Sequence, residues 1–83
     1  MPLYMDIHRK VDGATAEAVA DAHMKDLEVQ SRYGVNYRKY WIEESSGTIF
    51  CLVEAPNKEA AERVHRIAHS LTADEIFEVT ENS

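Results

Sequence analysis

VNYRKYWIEESSGTIFCLVE, residues 35–54, is the stretch that decides the fold. VNYRKYWI, residues 35–42, is rich in aromatic and β-branched side chains, which suit a pleated, half-buried surface. Glu44-Ser45-Ser46-Gly47 is a turn sequence. TIFCLVE, residues 48–54, is almost wholly apolar, as expected of a central strand covered on both faces. A hairpin here, in the middle of the chain, leaves room for one β-α unit before it and one α-β unit after it.

Both units can be read. Upstream, LYMDIH (3–8) alternates, with Leu3, Met5 and Ile7 on one side and Tyr4, Asp6 and His8 on the other, which predicts a strand. Asp12-Gly13 signals a turn, Thr15 is an N-cap and Glu17 complements the helix dipole. The helical pattern runs from Ala16 to Tyr33, and Gly34 follows as the residue just past the end. Downstream, Pro56 breaks the strand, Asn57 caps a helix over about 58–70, and residues 71–74 link it to a last strand, EIFEVT (75–80).

The order is β-α-β-β-α-β, the ferredoxin-like α+β arrangement: a four-stranded antiparallel sheet with two helices on one face. One domain over residues 1–83 is expected. The bare face of the sheet would keep several of Tyr4, Trp41, Phe50, Leu52 and Ile76, and an apolar face left open in this way predicts a homodimer.

Composition narrows the function. Fifteen acidic against nine basic residues give a net charge of -6, which disfavours nucleic acid and anionic membrane as partners. No apolar run is long enough to span a bilayer, and MPLYMDIHRK has no signal-peptide core. The one cysteine, Cys51, fits a reducing, cytoplasmic setting.

Two features call for chemistry. On a helical wheel, His23, Asp26 and Gln30 fall in the inward stripe of the first helix beside Val19, Ala22 and Tyr33, where polar groups are costly unless partnered. An internal network, with Asp26 orienting His23, would satisfy them. In VHRIAH (64–69), His65 and His69 are one turn apart, so their rings point the same way. The wheel puts His65 at the boundary of an apolar face made by Ala60, Ala61, Val64, Ile67, Ala68 and Leu71, with His69 nearer solvent.

Topology gathers these residues. His8 ends the first strand, His23 lies in the upper half of the first helix, and His65 and His69 end the second, so all four histidines share one half of the domain. With Asp6, Asp26 and Cys51 they form a ligand set of imidazole, carboxylate and thiol suited to nickel, zinc or copper. The chain has no HExxH, no CxxC and no phosphate-binding glycine loop.

With these residues laid out, MDIHRKVDGATAEAVADAH (5–23), YGVNYRKYW (33–41), GTIFCLVEAP (47–56) and VHRIAH, in this order and spacing, resemble a family of small nickel-binding proteins best known from actinomycetes. That family was long catalogued only as a domain of unknown function. The resemblance spans about residues 3–80 and implies a ferredoxin-like homodimer that binds nickel, with no established reaction. Two other classes stand beside it. One is a dimeric α+β-barrel enzyme or small-molecule binder with a cavity lined by Asp6, His8, His23 and Gln30. The other is an interaction dimer whose polar stripe is purely structural.

Overall fold

A computed structural model describes residues 1–82. Strands β1 (Leu3–His8), β2 (Asn36–Glu43), β3 (Thr48–Glu54) and β4 (Glu75–Val79) form one sheet in the order β2-β3-β1-β4, and every neighbouring pair is antiparallel. Helices α1 (Ala16–Val29) and α2 (Lys58–Ala68) cover one side, as the β-α-β-β-α-β reading requires. The helical pattern expected up to Tyr33 divides: α1 ends at Val29 and Gln30–Tyr33 continue as a tighter 3-10 turn. Gly34, at φ +65°, closes that turn in the left-handed conformation that glycine adopts without cost.

The helix starts follow the sequence. Thr15 accepts a hydrogen bond from the Ala18 N–H at 3.1 Å, and Asn57 accepts one from the Ala60 N–H at 2.8 Å. Each satisfies a donor that the first helical turn leaves free. Gly47, in the hairpin, has φ +70°, and a Cβ there would lie 2.7 Å from the Val11 carbonyl oxygen. Its carbonyl accepts from the Val11 N–H at 3.0 Å, which ties the loop after β1 to the hairpin.

The register shows which face is covered. Tyr4, Asp6 and His8 of β1 pair with Val53, Cys51 and Ile49 of β3, and all six are buried under the helices. Leu3, Met5 and Ile7 therefore share the open face with Phe50 and Leu52. Of the residues expected on an open face, Trp41, Phe50 and Leu52 lie there, while Tyr4 and Ile76 belong to the helix side. In β2 a bulge between Tyr37 and Lys39 adds one residue to the strand. Positions three apart would otherwise point to opposite faces, and the bulge turns both Tyr37 and Tyr40 toward the helices.

Candidate functional site

The covered face holds charged and polar groups where a small domain usually puts only apolar ones. Asp6, His8, Asp26 and His65 are all nearly inaccessible, with His65 only 1 % exposed. Asp6 comes from β1, Asp26 from α1 and His65 from α2, so the group joins all the layers of the fold. Such burial is tolerable only if the charges and polar atoms pair.

His65 is the centre of that pairing. Its Nε2 lies 2.9 Å from Asp6 Oδ2 and its Nδ1 lies 2.9 Å from Asp26 Oδ1. Both nitrogens face carboxylates, so both act as donors and the ring is an imidazolium. Burial alone would lower its pKa, but the bonds to Asp26 and Asp6 outweigh that and raise it to about 9. The carboxyls respond in the other direction. Burial raises both, yet the bonds from His65 and His8 hold Asp6 well below the usual carboxylate range, and those from His65 and His69 lower Asp26.

Three more residues close the network. His8 Nε2 lies 3.1 Å from Asp6 Oδ1. The Tyr37 hydroxyl lies 3.0 Å from both Asp6 Oδ2 and the Ala61 carbonyl, and burial pushes its pKa far up, so it stays a protonated donor. His69 Nε2 lies 3.1 Å from Asp26 Oδ1, while its Nδ1 accepts from the Leu71 N–H. The rings of Tyr37 and His65 pack 4.4 Å apart.

Several sequence expectations change here. His65 is fully buried rather than on a boundary, and His69 is turned inward to Asp26 rather than toward solvent. The wheel of α2 placed Ile67 in the core, but it is 49 % exposed. The helix is rotated so that His65 meets two carboxylates, because leaving those charges buried and unpaired costs more than exposing one aliphatic side chain. Asp26 orients His65 and His69, not His23. His23 packs its ring 4.8 Å from Tyr40, and burial lowers its pKa against the opposing pull of Asp26. Gln30 Oε1 accepts from the Tyr37 N–H, which anchors the strand beside the bulge.

Among the described residues, two groups have ligand atoms within 4.8 Å of one another: Asp6, His8, Cys51 and His65, and Asp26, His65 and His69. They overlap at His65, and His23 belongs to neither. Cys51 sits opposite Asp6 in the sheet, and burial, reinforced by the negative charge of Asp6, pushes its thiol pKa far up. A cavity of about 120 Å³ adjoins the cluster, and all four histidines line it together with Asp26 and Cys51. Asp6 and Gln30, expected among its lining, are not part of it. Tyr37 went unnoticed in the sequence, where strict alternation puts it on the face opposite Tyr40, itself read there as a sheet and interface residue.

The comparisons with known proteins agree with this architecture. The chain belongs to the nickel-responsive SCO4226-like family, whose model matches residues 4–79. It is similar to the crystal structure of SCO4226 from Streptomyces coelicolor A3(2), with 41 % sequence identity and a TM-score of 0.90, over 98 % of this chain and 99 % of that one. No curated protein matches. Among the described residues no helix is long and apolar enough to cross a membrane.

Proposed function

We propose that the protein binds a divalent transition-metal ion, nickel in keeping with its family, at Asp6, His8, Cys51 and His65, and sequesters it as a homodimer. The observation that carries this reading is the convergence of those four ligand atoms within 4.8 Å. Calcium and magnesium take oxygen ligands, whereas two imidazoles, a thiol and a carboxylate suit nickel, zinc or copper. The affinity order of the first-row metals favours copper at an unselective site of this kind, so the choice of nickel rests on the family.

The charges favour an exchange. Without metal, Asp6 and Asp26 face one imidazolium, His65, which leaves the cluster with a single net negative charge. Ligation needs an unprotonated His65 Nε2 and a Cys51 thiolate, so a divalent ion entering the site displaces about two protons. The buried net charge is then unchanged. His65 Nδ1 still donates to Asp26, the arrangement by which an outer carboxylate fixes the ring of a metal-bound histidine. His69 and Tyr37 hold the two carboxylates in place.

The homodimer is supported by the open sheet face, where Trp41 and Phe77 are each about half exposed beside Leu3, Met5, Ile7 and Phe50. A reducing compartment such as the cytoplasm, where a lone thiol stays free, goes with this reading.

The test is a nickel titration of tag-free, chelator-stripped protein against a weak competing chelator, with proton release recorded in parallel. One ion per chain and about two protons per ion near neutral pH are expected. Cys51→Ser should release about one proton and bind roughly 100-fold more weakly. Binding no stronger than the competitor, or a Cys51→Ser variant that binds and releases protons like the parent, would contradict the site.

A further inference from the structure

Asp6, His8, Cys51 and His65 are all buried, so an ion reaches them only through space that the fold leaves open. The cavity of about 120 Å³ beside the cluster supplies such space, because its lining runs from exposed residues to buried ones. Asp12, Gly13 and Ala18, at the exposed end, lie in the loop before α1 and on its first turn. His8, Cys51 and His65 lie at the buried end. Ala18 and Ala22, one turn apart on α1, keep the helix side of the space clear.

The ligand-bearing side chains along this cavity are graded in depth. His23 is partly buried, and its ring rests 4.8 Å from that of Tyr40. The side chains of His69, Asp26 and His65 are then 9 %, 4 % and 2 % exposed. Asp26, His69 and His65 make the outer ligand group, and His65 is shared with the inner one. An ion that moves from the outer group to the inner one therefore stays within reach of the same ring. The grading matters because the walls between are apolar, with Val19, Ile49 and Leu71 among them. A divalent ion sheds hydration water against such walls at a cost, and imidazole and carboxylate ligands spaced along the way replace that water in steps.

We propose that this cavity is the entry path of the metal ion: His23 captures it, and Asp26 and His69 pass it to the buried group. The inference rests on the metal-binding reading and adds to it a role for His23, which belongs to neither ligand group. A residue on the path but outside the resting site lowers the barrier equally in both directions. Its loss slows entry and exit alike and leaves the affinity where it was.

The experiment is stopped-flow mixing of nickel with tag-free, metal-free full-length protein, followed by the absorbance of the nickel–thiolate bond. Exit is timed by handing the ion to an excess of strong chelator. His23→Leu keeps bulk at the path and removes its nitrogens, and Ala22→Leu narrows the cavity from the helix. Each should slow both association and dissociation roughly tenfold, with the dissociation constant held within about twofold. Should Ala22→Leu fail to fold by circular dichroism, His23→Leu decides alone. Unchanged rates in a folded His23→Leu variant would overturn the path while leaving the site intact. So would weaker affinity from faster release alone, which would make His23 a ligand of the resting site. A parent protein that takes up no nickel would overturn the site itself, and this path with it.

Discussion

On the helix side of β1 stand Tyr4, Asp6 and His8, and on its open side stand Leu3, Met5 and Ile7. The neighbouring strands repeat the division. Cys51 and Tyr37 lie under the helices, while Phe50, Trp41 and Phe77 lie on the bare face. A sheet with one covered face normally sends its apolar residues inward and its polar residues out. Here much of the charge is inside and much of the hydrophobic surface outside. The covered face meets the cost of burial by mutual pairing of two carboxylates with a central imidazolium. The open face is left with apolar surface that a second copy of the chain would cover.

The contrast predicts unequal responses to mutation. On the covered face, His65→Ala removes the cation that Asp6 and Asp26 share and leaves two buried carboxylates facing each other's field. Urea denaturation of the metal-free protein should show a loss of roughly 3–5 kcal/mol. That is a large part of the ~5–10 kcal/mol that holds a domain of this size together. A loss below about 1 kcal/mol would mean that the network is not a buried ion cluster.

Acid and base should act on the same face. The His65 pKa rises from 6.5 to about 9 on folding, so its contribution is fully present below about pH 6.5 and is lost as pH rises through 9. Asp6 and Asp26 are depressed, so their contribution is present above about pH 4, their ordinary range, and is lost on acidification. Metal-free stability should therefore peak between about pH 4.5 and 6.5 and decline by about 3 kcal/mol toward pH 10. Thermal unfolding across this range checks it, and a profile flat from pH 6 to 10 would break the assignment of charge to His65.

The open face should respond in association rather than in fold. Trp41→Glu places a charge on the exposed apolar face, at its β2 edge, and should weaken self-association about 30-fold, or roughly 2 kcal/mol, by sedimentation equilibrium, with circular dichroism unchanged. An unaltered oligomeric state would assign that face to something other than a second copy.

The fold was legible because its signals are local. Thr15 and Asn57 cap the helices they were expected to cap, and the 35–54 stretch forms the hairpin that joins the two halves. The candidate site was legible only as a parts list. Alternation in β1 separates Asp6 and His8 from Leu3 and Ile7, but does not say which side the helices take. Nothing near Asp26 in the sequence reveals that its partner is His65, 39 positions away. Tyr37 was hidden because the bulge after it resets the alternation, and His65 because the apolar arc of α2 competes with its two ionic bonds. Periodicity records hydrophobicity and cannot record which charges meet.

The most direct test of the central claim is anomalous diffraction at the nickel edge from crystals of nickel-loaded, tag-free protein. The account predicts one strong peak per chain beneath the helices, within bonding distance of Cys51 Sγ and imidazole nitrogens of His8 and His65. Peaks confined to surface histidines or to crystal contacts, with the His65 bridge between Asp6 and Asp26 intact, would contradict it.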